Sequence, residues 1–393
     1  MEWKPPPPRL GKPLVRRVAG PVLGAMTGAI LGMFLVPFFV PFLDALSSAQ
    51  RKVPAVIAIA CLPLAWLIAV GLHELGHIVG GWLIGGRFLL WIAGPIKAVR
   101  TPSGIRWGWN RSFNTAGGVA ACLPADCSRL TASHLIVMIL GGPVASLLSA
   151  GVTASLVPMV PANGGAVAAW LEILLALTAV FPLLLAVATT APFTAGGFKS
   201  DGRRAWDLCR GGPRRDQEIA MVILSMQLLG GTRPRDLDRD LLRRSLRLGD
   251  GSAFDLYARL NAYQHAADCG EWDEARLLLE AIVSGEASLV PLIVAATRCE
   301  YAWLLATRGS DPPLARAWLE SAGPMDFDPA TRLRAESAVL LAEGATEAAH
   351  AKAVAGLKAL DGRTASPVRS PFATDEFERL LRASAPGVGH ASG

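Results

Sequence analysis

His73, Glu74 and His77 are the only acidic or basic side chains between residues 53 and 86, in a stretch that is otherwise apolar. A charge at membrane depth costs about 2.5 kcal/mol or more, so ionisable residues there face a cavity, a partner or a metal. In a helix the two histidines, four residues apart, lie on one face. Both imidazoles can then reach one tetrahedral zinc, and Glu74 stands where it can take a proton from a water that the zinc activates. The pattern His73-Glu74-Leu75-Gly76-His77 thus predicts metal-assisted hydrolysis inside a bilayer.

The elements that must hold these residues follow from composition. The chain has 393 residues, 52% of them hydrophobic, and a mean hydropathy of +0.38, high for a soluble protein. Apolar residues concentrate before residue 196 and charges after it, so a membrane half precedes a soluble half. Crossing the hydrocarbon takes about 20 helical residues. Four stretches are long enough: residues 18–43, 53–85, 134–160 and 166–193. Pro54 and Pro63 mark either the true start of the second stretch or a kink in it. The first is too long for a cleaved signal peptide. In it Gly20, Gly24, Gly28 and Gly32 recur every fourth residue, a small face suited to close helix packing.

Orientation follows from lysine and arginine. Lys4, Arg9, Lys12, Arg16 and Arg17 precede the first stretch. Arg87, Lys97, Arg100, Arg106, Arg111 and Arg129 lie in loop 86–133, and Lys199, Arg203, Arg204 and Arg210 follow the fourth stretch. Connections 44–52 and 161–165 carry only Arg51 and Lys52 between them. Both termini and the long loop are therefore expected on the cytoplasmic side of a cell membrane. The net charge of +6 reads as this bias toward membrane lipid, with no nucleic-acid partner. The six cysteines form no C-x-x-C and are expected to be reduced; Cys122 and Cys127 read as small packing side chains.

The expected architecture is an α-helical multi-pass membrane protein with about four transmembrane helices, a small membrane-associated β element and a C-terminal all-α repeat-like cytoplasmic domain. Residues 1–17, with Pro5 to Pro8, form a basic cytoplasmic arm, expected to be disordered near the anionic leaflet. Residues 18–204 form the membrane core. Within it, 88–92, 96–100, 105–109 and 119–123 read as strands around turn signals such as Gly94-Pro95 and Pro102-Ser103-Gly104. Residues 205–383 read as amphipathic helices: Ala267, Gly270, Trp272, Ala275 and Leu279 fit a tetratricopeptide-like helix pair, and Gly309 with Ala315 and Gly344 with Ala348 echo it. A last helix is expected over 375–383 and a disordered tail over 384–393. Glu172 and His134 are expected to snorkel to interfaces. His265, His350 and His390 read as solvent or packing residues.

A catalytic zinc usually takes three protein ligands, so the histidines need a third. The motif lies in the inner half of its span, and Asp201 emerges at the cytoplasmic end of the fourth, after a backbone broken at Gly196-Gly197. Topology thus brings Asp201 to the same depth. The chemistry that fits is peptide hydrolysis, with Glu74 passing a water proton to the leaving amine.

Over roughly residues 60–205 the sequence resembles the site-2 protease family of intramembrane metalloproteases. The resemblance rests on His73-Glu74-Leu75-Gly76-His77, Gly117-Gly118-Val119, Gly142-Pro143-Val144-Ala145-Ser146 and Ser200-Asp201-Gly202. It implies Zn2+ held by His73, His77 and Asp201, with Glu74 as the catalytic base. It also implies a substrate-binding role for Gly117 and Gly118, as a strand pairing with unwound substrate, and for Gly142, Pro143 and Ser146, as a helix beside the site. Ser146 departs from the family's frequent Asn: it can hydrogen-bond but lacks the amide. The implied substrate is a transmembrane protein. The repeat-like pattern, not the resemblance, makes residues 216–383 a candidate surface for a cytoplasmic protein partner. The competing expectation is a membrane-anchored scaffold with a vestigial metal site and a partner-binding helical domain. A zinc transporter would need further ionisable residues along its spans than Glu172 alone.

Overall fold

The computed structural model describes residues 3–7, 55–161 except 102, 111–116, 125 and 127–129, then 163–195, 198–309, 311–323, 325, 328–361 and 370–385. The expected span at 18–43, with its four glycines, and the tail at 386–393 lie outside the described residues. Helix α1 (Ala55–Leu83) is followed by strands β1 (Gly86–Ala93), β2 (Ile96–Thr101), β3 (Gly104–Trp109) and β4 (Val119–Pro124). Helices α2 (Ala132–Leu156) and α3 (Gly165–Thr190) come next, then a two-stranded hairpin, β5 (Thr194–Ala195) and β6 (Phe198–Lys199).

Among the described residues three helices are long and apolar enough to cross a membrane: Ala60–Leu83, Ala132–Met159 and Gly165–Thr190. Large apolar side chains lie exposed along them, including Trp66, Val79, Trp82, Leu148, Val152 and Val187, an arrangement suited to lipid. Helix α1 runs through Pro63 without ending there. Helices α1 and α2 approach at backbone distance: a Cβ on Gly76 would stand 2.2 Å from the Gly141 carbonyl oxygen, and one on Gly80 would stand 2.6 Å from that of Val137. Two small residues four apart allow that approach and bring the motif face of α1 onto α2. Glu172 is buried, at 5% exposure, where an interfacial position is expected from the sequence. The face of α3 that carries it, with Ala168, Ala176 and Ala179, turns inward against the other helices. His134 is exposed and completes a capping box with Thr131 at the start of α2.

The four strands form one antiparallel sheet in the order β3-β2-β1-β4. Tight connections explain the pairing, with Gly94 at φ 54° between β1 and β2. The sheet packs on α1 where the Trp91 indole donates to the Gly71 carbonyl at 3.1 Å. Strand β4 is an edge, paired with β1 and with no strand beyond it among the described residues. On the opposite edge, β3 exposes Ile105, Trp107 and Trp109 on one face.

The remaining chain is helical: α4 (Asp201–Arg210), α5 (Gly212–Leu229), α6 (Arg239–Leu246), α7 (Ala253–Cys269), α8 (Trp272–Ser284), α9 (Pro291–Arg308), α10 (Pro312–Ser321), α11 (Pro329–Ala342), α12 (Thr346–Asp361) and α13 (Pro371–Ala383). Helices α7 to α12 follow one another as pairs, with Gly270 and Gly344 at positive φ closing two of the turns. One core, including Tyr263, Leu279, Trp303, Trp318 and Phe377, runs through them. The last helix begins four residues before its expected start, because Ser370 caps it by accepting from Ala373 N and Pro371 fits its first turn. A second apolar cluster, with Leu135, Ile139, Leu208, Ile223 and Met226, joins α2, α4 and α5. It fixes the start of the helical half to the base of α2.

Candidate metal centre

Helix α1 presents His73 and His77 toward α2, with ring centroids 4.9 Å apart. The other nitrogen of each ring is held from α2. His77 Nδ1 donates to the Met138 carbonyl at 3.0 Å; a carbonyl only accepts, so the hydrogen sits on Nδ1. His73 Nδ1 lies 2.9 Å from Ser146 Oγ. Such outer contacts fix ring orientation and leave both Nε2 atoms pointing the same way.

They point at Asp201. Its Oδ2 lies 3.3 Å from His73 Nε2 and 3.6 Å from His77 Nε2. Asp201 is the first residue of α4, and three contacts set its position. Ser200 caps α4 by accepting from Arg203 N, and its Oγ donates to the Ala191 carbonyl at 2.6 Å. Gly202 packs so closely on the end of α3 that a Cβ would stand 1.7 Å from the Thr190 carbonyl oxygen. The β5–β6 hairpin folds the chain back so that the Ser200 amide donates to the Phe193 carbonyl. The turn at Gly196-Gly197, expected to redirect this segment, lies outside the described residues.

A buried ionic cluster backs this segment, and the sequence reading did not anticipate it. Glu218, fully buried on α5, accepts from Lys199 Nζ at 2.9 Å and from Arg204 Nε at 2.7 Å. Lys199 also reaches Asp207 at 3.0 Å, and Asp207 accepts from Arg203. Burial by itself would raise the Glu218 pKa; Arg204 and Lys199 outweigh it and hold it below the ordinary carboxylate value. Lys199 and Arg204 lie within a few residues of the Asp-Gly motif, but their pairing with Glu218 depends on α5 folding back.

The donor set fits zinc. Two imidazole nitrogens and a carboxylate oxygen suit it, and a tetrahedron with bonds of about 2.0–2.1 Å has edges of about 3.3–3.4 Å. Of the two observed Asp201–histidine separations, 3.3 Å equals such an edge and 3.6 Å is slightly longer. Gly142 leaves the space clear: a Cβ there would stand 2.4 Å from His77 Nε2 and 2.9 Å from His73 Nε2. Glu74, 9% exposed, offers a carboxylate oxygen within 4.8 Å of the histidine nitrogens.

The residues expected to bind substrate separate into two groups. Gly142, Pro143 and Ser146 are buried on the side of α2 that backs the histidines, and the Ser146 oxygen lies on His73. Gly117 and Gly118 are not fully buried and lie at the start of the edge strand β4, with Gly118 at φ 117° against the Glu74 carboxylate. Cys122 packs under the sheet and donates weakly to the Ile78 carbonyl; burial pushes its thiol up to about 11, which disfavours the thiolate a metal needs. Cys127 lies outside the described residues.

A second grouping, His265, Cys269 and Glu271, lies in the helical half, with His265 Nδ1 already donating to the Pro234 carbonyl. Two cavities of about 430 and 440 Å³ lie away from the His73 constellation, one lined by Asn261, Glu300, Arg334 and Phe372, the other by Arg215, Asp216, Asp238 and Arg244. Compared with protein-family models, with characterised proteins and with solved structures, the chain gives no significant match.

Proposed function

We propose that this chain is an intramembrane zinc metalloendopeptidase of the site-2 protease type, cutting a peptide bond in or near a transmembrane segment of a substrate protein. One observation carries the reading: the Asp201 carboxylate, from a distant helix start, lies within 3.6 Å of both His73 and His77 on an apolar helix, beside Glu74. His73, His77 and Asp201 would hold the metal. When bound, zinc supplies Lewis acidity that polarises a peptide carbonyl and acidifies water.

The chain's own residues do the rest. Ser146 and the Met138 carbonyl hold the imidazoles in one orientation. Glu74 takes the proton of the attacking water and delivers it to the leaving nitrogen. A helical peptide bond is hidden by its own hydrogen bonds, so the substrate must unwind. The edge of β4, unpaired among the described residues and with its Gly118 end adjoining Glu74, can then pair with it as an added strand.

Placement of the N-terminal arm and the helical half on one side of a membrane has a support separate from the lysine and arginine bias, which alone points to the cytoplasmic side. Trp3 rests against the helical half, so an even number of crossings must separate them. Three apolar helices give an odd number, and the stretch 18–43 would supply the fourth.

The test compares new protein N-termini in cells carrying wild-type chain or Glu74→Ala. Neo-termini inside a partner's membrane span, present with wild type alone, are expected and would name the substrate. Identical termini under several stress conditions would leave the scaffold reading in its place.

A further inference from the structure

Residues 3–7 lie on the helical half, where the sequence suggests a disordered arm at the membrane surface. The contact is specific. The Trp318 indole, on a side chain with no exposed surface, donates its Nε1–H to the Lys4 carbonyl at 2.9 Å. The Lys4 amide donates to the Tyr301 hydroxyl at 3.4 Å, and that hydroxyl donates onward to Glu280. Both backbone groups of one residue are therefore read by two buried aromatic side chains. Trp3 stands edge-on to Tyr301, with centroids 5.7 Å apart, and the Arg276 guanidinium lies 4.2 Å over its ring. The Lys4 ammonium donates to Ser284 Oγ at 3.3 Å.

Two physical points separate this from incidental packing. A buried indole N–H without a partner is costly, and among the described residues the partner of Trp318 Nε1 comes from the arm. Pro5, Pro6 and Pro7 have fixed φ and no N–H, so the segment after Lys4 loses little entropy on docking and leaves no donor unsatisfied. Lys4 is the last residue before the prolines that can donate from its backbone, and the slot reads that donor.

We infer that the helical half carries a recognition slot for an extended segment of the pattern Trp-Lys-Pro-Pro-Pro, built from Arg276, Ser284, Tyr301 and Trp318 and filled in this chain by its own residues 3–7. The contact latches the N-terminal arm to the helical half. A partner entering the slot must carry the same pattern and displace the arm. The inference does not depend on the protease reading, and its test uses no proteolysis.

The test takes the full-length chain in detergent and a synthetic peptide of residues 1–9 labelled at its C-terminus. A tethered segment competes at an effective concentration of about millimolar, so the wild-type chain should bind the peptide at least about tenfold more weakly than a Trp3→Ala chain, whose arm has lost its anchor. Trp3 packs on the outside of the core, so this variant leaves the fold beneath it intact. A peptide carrying Trp3→Ala should bind neither chain, and Trp318→Phe, which keeps a ring but removes the N–H, should weaken binding to the Trp3→Ala chain. Equal binding to wild-type and Trp3→Ala chains, or no binding to the latter, overturns the slot. Hydrogen exchange on the wild-type chain gives an independent reading. The Lys4 amide should be protected, and exchange at the free-peptide rate overturns the latch.

Discussion

Gly118 lies against Glu74 so closely that a Cβ built on it would stand 2.3 Å from Oε1 of that carboxylate. The residue just before the edge strand and the proposed base thus share one surface, and no side chain fits between them. Gly117, one residue earlier, has nothing within 4 Å of such a Cβ. Gly118→Ala should therefore displace Glu74, and its φ of 117° adds backbone strain. A shift of about 1 Å at a catalytic group can cost about a hundredfold in rate. Cleavage in the neo-terminus assay should fall by that order for Gly118→Ala with zinc content unchanged, while Gly117→Ala keeps near-normal cleavage. Equal losses in the two would detach the edge strand from the base.

Ser146→Ala leaves His73 Nδ1 without its partner in a fully buried place. Removing such an outer contact costs about 10- to 100-fold in metal affinity. Chelator titration of the purified variant should show a loss in that range, with no change in its thermal unfolding when zinc is saturating. A serine acting on substrate alone would leave the titration where it is.

Gly202→Ala cannot keep α4 seated on α3, because the added carbon would stand 1.7 Å from the Thr190 carbonyl oxygen. The start of α4 has to move, and Asp201 moves with it. Zinc stoichiometry by elemental analysis should drop well below one per chain, as it should for Asp201→Ala. Ser200→Ala should act in the same direction more weakly, since losing a helix cap costs about 0.5–2 kcal/mol.

Glu218 gives the pH dependence. Its folded pKa lies below the ordinary value of 4.5, so the stability it adds is present above that value and is lost as pH falls through the folded pKa. Glu218→Ala takes the buried carboxylate from Arg204 and leaves Lys199 with Asp207 alone, and breaking a buried pair costs about 3–5 kcal/mol. Thermal unfolding in detergent at neutral pH should show a large drop for Glu218→Ala. The gap between wild type and Glu218→Gln should close as the pH falls from the ordinary glutamate value through the lower folded pKa. A gap that widens in acid would contradict the pairing.

The sequence alone determined the parts whose signals are local. Apolar length marks the long helices, because a span must bury about 20 residues of backbone. Four-residue spacing puts His73 and His77 on one face, and glycine and proline punctuation separates the strands of the loop that follows. Gly76 and Gly80, two small residues four apart, are a local signal for the close approach of α1 and α2. Only the tertiary structure decided which long-range groups meet. Ser146 turned from a candidate substrate contact into a support for His73 because α2 presents it to α1. Glu172 turned inward because α3 packs on two helices and buries that face. Lys199, Arg204 and Glu218 found one another across the turn into α5, and Lys4 met Trp318 from the other end of the chain. A side chain's spacing along its own element is set by backbone geometry, which the local sequence carries. Its partner is set by how elements pack, and that depends on the whole chain at once.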